Sequence, residues 1–229
     1  MTRVAVVTGG AGTIGGAIAS ALADAGHRVV KLDRAGDIAC DLADEREVRR
    51  AAATVLAQHG GRCDVLVHAA AAFDRAGLAA LDLTAWRRVQ ATNVESALLL
   101  AQAFAPGMAA RAFGRIIFVV SDTVWAPPAP DLLAYVTSKA ALVGLARALA
   151  HALGPDGIAV TAVAPGLTPT PAASRAMPAE AFDAVRERQA LPRTLQPGDV
   201  AATVAFLASD AAAALTGQTL CVDGGLVLR

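Results

Sequence analysis

The chain has 229 residues, of which 55% are hydrophobic and 17% charged, enough to bury the core of one large α/β domain or two small ones. Its 20 basic and 20 acidic side chains cancel, which excludes both the basic field that draws in nucleic acid and an acidic tail. A small, uncharged partner is expected.

The amino terminus, Met1-Thr2-Arg3, runs directly into Val4-Ala5-Val6-Val7 and lacks the charged region, apolar stretch and cleavage site of a signal peptide. Strands are predicted at residues 3–8, 28–33, 64–69, 115–121, 158–163 and 218–222, where short β-branched runs recur. Between them, apolar residues at three-to-four spacing predict helices around 14–25, 45–58, 82–110, 132–153 and 199–208. Strands alternating with helices imply a parallel sheet covered on both faces. One connection is too short: only Arg34-Ala35-Gly36-Asp37 separate Asp33 from a small extended segment, Ile38-Ala39-Cys40, where a parallel crossover needs a dozen or more residues. A helix is expected to be missing there. Mean hydropathy is high, +0.49, yet the longest uncharged stretches are interrupted by Pro106 or by Pro165, Pro169 and Pro171, so none reads as a membrane span. A cytoplasmic location is expected. Cys40, Cys63 and Cys221 form no CxxC pair and read as buried, reduced thiols.

The first strand leads into Thr8-Gly9-Gly10-Ala11-Gly12-Thr13-Ile14-Gly15-Gly16 and then a helix. Glycines let the backbone approach a pyrophosphate, whose charge is stabilised by free N–H groups and the dipole at the helix N-terminus. Taken alone the loop could be a tight turn; its place after the first strand points to a dinucleotide. Asp33 ends the second strand, where a carboxylate can accept hydrogen bonds from both ribose hydroxyls and repel a 2′-phosphate. NAD is thereby favoured over NADP, with Arg34 as the counter-argument and a solvated strand-end acid as the plain alternative.

Tyr135-Val136-Thr137-Ser138-Lys139 sits where a long helix begins, so Tyr135 and Lys139 share one face. A phenol is a poor base at neutral pH, but a neighbouring ammonium favours the phenolate, making Tyr135 a general acid/base. The plain reading is an exposed helical pair. Ser121 closes the fourth long strand, where its hydroxyl could bond a substrate oxygen, and Asn93 lies in an otherwise apolar helix, either functional or a satisfied helix-kink residue.

The glycine loop, Asn93, Ser121, Tyr135, Lys139, Ala164-Pro165-Gly166 with Thr170, and the ending Gly217 to Gly225 resemble, in order, the short-chain dehydrogenase/reductase family. The resemblance covers almost the whole chain. It implies a single α/β domain over 1–229, a Rossmann-like doubly wound parallel sheet with helices on both faces, with a lid near 167–191. It also implies a catalytic tetrad of Asn93, Ser121, Tyr135 and Lys139, in which Ser121 orients the carbonyl, Tyr135 moves the proton, Lys139 also holds the nicotinamide ribose and Asn93 anchors a water. Cofactor contacts are implied at Gly9, Gly12, Thr13, Ile14, Gly15, Asp33, Asp41, Leu42, Ala69, Ala70, Tyr135, Lys139, Pro165, Gly166 and Thr170, together with a homotetramer.

Three departures stand out. Thr13 replaces the family's middle glycine; His68-Ala69-Ala70-Ala71 replaces the usual Asn-Asn-Ala-Gly; and the serine-to-tyrosine interval is one residue long, making Thr123 a competitor for the Ser121 role. His68 reads as a buried replacement for a structural asparagine, and His27, His59 and His151 have no ligand spacing, so no metal is expected. The activity expected is hydride transfer between NAD and a small secondary alcohol or ketone. Phe73, Trp125, Leu167 and Met177 are expected to line an apolar substrate pocket. Reduction of a 3-oxoacyl thioester is the enzymatic alternative, with Arg87, Arg88, Arg111 and Arg175 as carrier-docking candidates. A non-catalytic NAD sensor is the other.

Overall fold

A computed structural model describes residues 2–228, apart from the side chains of Ala172 and Ala176; Met1 of the amino-terminal reading lies outside it. Strand β1 (Val4–Thr8) is buried at every position because both its faces are covered. Val4 and Val6 face one core with Leu66, Leu100, Phe104 and Leu142, whereas Ala5 and Val7 face another with Ile18, Leu22, Val200 and Val204. A strand buried on both sides has no use for polar alternation, which is why these segments read as continuous apolar runs.

From β1 the chain passes through helix α1 (Thr13–Asp24) to β2 (Arg28–Asp33), then by a turn at residues 34–37 to β3 (Ile38–Ala39). The helix predicted to be missing is absent: Lys31 N–H donates to Asp37 Oδ2 at 2.9 Å and Gly36 N–H to the Asp33 carbonyl at 3.2 Å, closing the turn on itself. Helix α2 (Glu45–Gln58) follows, capped by Asp44, whose carboxylate accepts from the Arg46 and Glu47 N–H groups. Next come β4 (Val65–His68), α3 (Leu83–Gln90), a π-helical turn (Ala91–Glu95), α4 (Ser96–Ala110), β5 (Gly114–Val119), α5 (Leu133–Leu153) and β6 (Ile158–Pro165). The chain ends through α6 (Pro171–Ala176), α7 (Ala179–Arg188), α8 (Pro197–Ala208) and β7 (Thr219–Val222). The strands form one parallel sheet in the order β3-β2-β1-β4-β5-β6-β7.

Two differences from expectation bear on the site. The single helical stretch predicted over 82–110 is broken by the π turn, where the Ser96 N–H reaches the Ala91 carbonyl, five residues back. Strand β5 ends at Val119, so Ser121 lies beyond the strand, capping a 3-10 turn (Asp122–Val124). The stretch Leu133–Asp156 is, by length and composition, apolar enough to cross a membrane, contrary to the sequence reading. Here it packs on β6, with Leu142, Ala146 and Lys139 buried.

Candidate active site

The chain turns one way from β1, through β2 and β3, and the other way from β4 onward, so the carboxyl ends of β1 and β4 open a crevice between them. Thr8, closing β1, ties its floor: Thr8 Oγ1 accepts the N–H groups of Ala69 and Ala70 at 3.1 Å each. The glycine loop closes over this seam. Gly9 has φ +67°, and a Cβ there would stand 2.7 Å from Ala70 Cα; a Cβ on Gly15 would overlap the Gly9 carbonyl oxygen. Gly12 N–H returns to that same oxygen at 2.9 Å, which leaves Thr13 exposed in the first turn of α1. A side chain is accommodated at 13, where the residue is exposed and borders the cleft.

The loop borders a cleft of about 580 Å³, whose lining brings together Gly9, Gly12, Thr13, Ile14, Gly15, Asp33, Asp41, Leu42, Ala69, Ala70 and Thr170 from the expected cofactor set. Pro165, Gly166, Tyr135 and Lys139 are not in that lining. Asp33 Oδ2 accepts the Ala11 N–H at 3.2 Å, so the carboxylate also braces the loop. A backbone cradle without room for Cβ atoms beside a strand-end carboxylate fits a dinucleotide. Cys40, Arg88, Thr92 and Arg175 also line the cleft. Arg88 and Arg175 entered the sequence reading only as carrier-docking candidates; nothing in their spacing placed them here. Arg111 lies elsewhere, paired with the buried Asp64 at 3.2 Å ahead of β4.

Tyr135 occupies the first turn of α5, its ring edge-on to Phe73 with centroids 4.9 Å apart. One turn on, Lys139 is buried and donates from Nζ to the Val119 carbonyl at 2.7 Å, with Nζ 5.6 Å from the Tyr135 ring centroid. The expected lowering of the phenol is not met. Burial pushes Tyr135 up to about 12, opposed by a hydrogen bond with Ser121 and reinforced by the charge of Asp122. Burial alone pushes Lys139 down to about 7. Desolvation opposes charge on both groups, so the pair is poised toward its neutral forms.

Ser121 Oγ accepts from Thr123 Oγ1 at 3.0 Å and from the Thr123 N–H at 3.3 Å, so the two candidate side chains are hydrogen-bonded to each other. Asn93 is fully buried and doubly committed: Oδ1 accepts the Ala72 N–H at 2.6 Å, and Nδ2 donates to the Ala72 carbonyl at 3.0 Å and to Ser138 Oγ at 2.9 Å. Asp122 was missed. It is buried beside Ser121, and burial, with the nearby charge of Asp223, raises its carboxyl to about 6. Its signal was a lone acid between the apolar runs Val119-Val120 and Val124-Trp125. Phe73, Trp125, Leu167 and Met177, expected to line a substrate pocket, are all absent from the cleft lining; Trp125 lines a separate groove with Arg147 and Gln218 beside β7. Among the described residues no cluster could hold a metal ion, and the three cysteines are free thiols, with Cys40 pushed up to about 11 by burial.

A family model described as Enoyl-(Acyl carrier protein) reductase matches residues 9–227. The D-threitol dehydrogenase of Mycolicibacterium smegmatis is 34% identical, over 99% of this chain and 94% of its own. The D-xylose 1-dehydrogenase of Caulobacter vibrioides is also 34% identical, over 96% and 94%. A solved structure from Beutenbergia cavernae, with NADP bound at low occupancy, is 34% identical and superposes with a TM-score of 0.91, over 98% of this chain and 96% of that one. With its sheet order, glycine loop and Tyr135–Lys139 helix, the chain belongs to the short-chain dehydrogenase/reductase family, as an NAD(P)-dependent oxidoreductase acting on a CH–OH group.

Proposed function

We propose that the chain oxidises a secondary hydroxyl of a small polyol or sugar, or reduces the matching ketone, with Tyr135 as general acid/base and NAD preferred over NADP. The observation that carries this reading is the meeting of Tyr135, Ser121 and Lys139 at the carboxyl edge of the sheet, next to a glycine-lined cleft that ends at Asp33. The cleft residues would hold the dinucleotide along the glycine loop and Asp33. When bound, the nicotinamide supplies the hydride acceptor. Tyr135 Oη takes the proton of the substrate hydroxyl, Ser121 Oγ bonds the same oxygen and fixes its orientation, and the buried Lys139 ammonium favours the phenolate once its desolvation is offset.

The polyol preference is supported by the named substrates of the threitol and xylose dehydrogenases, 34% identical to this chain. The thioester reading is weakened because Arg88 and Arg175 line the cleft while Arg111 is held by Asp64, so the basic residues do not gather as one docking patch. Residues 167–191 form the lid: the buried Gln189 and the Leu191 N–H, which donates to the Gly224 carbonyl at 2.8 Å, anchor its far end. Homotetramers would assemble through α4 and α5, where Leu98 is exposed.

A screen of NAD reduction across tetritols, aldoses, cyclic and aromatic secondary alcohols and 3-hydroxyacyl thioesters tests the reading. Turnover is expected with polyols or sugars; activity confined to thioesters would overturn it. Asp33→Ala is expected to relax the cofactor preference, and equal efficiency with NADP in the unmodified protein would refute the role of Asp33.

A further inference from the structure

His68 is a buried polar group that the proposed mechanism leaves unused. It ends β4 with no exposed surface, and its ring stands edge-on to Phe118. Nε2 lies 2.8 Å from Ser96 Oγ, and Ser96 Oγ donates to the Thr92 carbonyl at 2.7 Å. With the Ser96 proton committed to Thr92, His68 Nε2 is assigned as the donor in the shared bond, which leaves Nδ1 as an acceptor with no hydrogen-bond partner among the described residues. The Ser96 backbone N–H passes over Thr92 to reach Ala91, the pairing that makes the π turn, and the Ser96 hydroxyl meets the Thr92 carbonyl in its place.

We propose that His68 is a positioning residue, which through Ser96 holds the π turn in place and thereby sets Asn93 against the helix that carries Tyr135. The strut runs on beyond the turn. Asn93 Nδ2 donates to Ser138 Oγ at 2.9 Å, and Ser138 Oγ donates to the Tyr135 carbonyl at 2.7 Å. A polar line thus connects the end of β4 to the first turn of α5, passing from buried His68 and Ser96 through the Thr92–Asn93 backbone to buried Asn93 and Ser138. Among the described residues, Nδ1 meets no group that could relay a proton. Burial and the nearby Lys139 charge also hold the imidazole neutral, down to about 3.

The inference rests on the reading of Tyr135 as the acid/base, so the test carries Tyr135→Phe alongside. His68→Phe keeps a ring and removes both nitrogens, Ser96→Ala removes only the hydroxyl, and the double variant closes the cycle. Each single variant is expected to lose about 10- to 100-fold in kcat, the scale of a small misplacement at a reacting centre. NAD affinity should stay within about threefold and the pH–rate profile should keep its shape, with the double variant no worse than the poorer single. A fall in thermal stability with kcat unchanged in Ser96→Ala would reduce the contact to packing, and additive losses would break the strut into separate effects. A missing limb in the His68→Phe pH profile would make the imidazole a proton carrier instead. If His68→Phe does not fold, Ser96→Ala decides alone. Retained activity in Tyr135→Phe would bring down the acid/base reading first; an inactive Tyr135→Phe beside an unimpaired Ser96→Ala would remove only the strut.

Discussion

The two halves of the crevice are built from different material. On the β1–β2 side the work is done by backbone: the Gly9 carbonyl receives Gly12, and the loop packs where Cβ atoms have no room. On the β4–β5 side it is done by side chains, with Asn93, Ser121, Ser138, Tyr135 and Lys139 each held by named partners. A site made of backbone accepts any residue that leaves the path of the chain intact, as Thr13 does. A site made of side chains depends on each functional group.

The sharpest break should come at Tyr135→Phe, which removes only the hydroxyl: kcat is expected to fall by about 10²- to 10⁴-fold, the usual worth of general acid/base catalysis. NAD binding, followed by fluorescence titration, should hardly change. Gly15→Ala reverses the pattern, because the new Cβ overlaps the Gly9 carbonyl. The expected outcome is an NAD KM raised by more than about 10-fold, or some 1.4 kcal/mol of binding. Thr13→Gly, two residues away, should change it by less than about twofold. Were Gly15→Ala as mild as Thr13→Gly, the backbone account of that half would be wrong.

The pH dependence follows from burial. In the proposed mechanism Tyr135 must be ionised to accept a proton, and its phenol is pushed up to about 12, so alcohol oxidation should climb steadily from neutral to alkaline pH. Ketone reduction uses the protonated phenol and should lack that climb; initial rates in both directions across pH 6 to 10 would check it, with ~ tenfold per unit as the limiting slope for one proton. The smallest effect concerns Asp122, whose carboxyl lies at about 6 in the fold against 3.8 in the open chain. A raised carboxyl binds its proton more tightly when folded, so the associated stability is present below about pH 4 and lost as pH rises through about 6. Asp122→Asn should therefore raise Tm by a few degrees, corresponding to roughly 1–2 kcal/mol, at pH 8, and by less at pH 5. Equal shifts at both pH values would mean that the charge is not the source.

The backbone half was also the more legible in sequence. Glycines, strand ends and the short link after Asp33 announce themselves by residue type and spacing, as Asp33 does, whereas Asp41, Leu42 and Thr170, which also fell on the cleft, came only from the family resemblance. What escaped depended on depth or register. Five residues of π helix are too few to shift a hydrophobic period, so 82–110 read as one helix. Prolines at 169, 171 and 178 hid α6 and α7, since Pro171 begins a helix rather than preventing one. The Tyr135–Lys139 spacing was right while its electrostatics were not, because spacing carries no information about how much water the fold removes from each group.

The four-residue turn after Asp33 also determines how the sheet can meet another. It leaves β3 only two residues long, paired through Leu32 with Ile38 and Asp33 with Ala39, too short to template a foreign strand. At the opposite edge β7 runs four residues and is partly exposed along its length. A sheet with one receptive border and one blunt border cannot be extended from both ends, so edge-to-edge contact would stop at a closed pair instead of propagating into fibres.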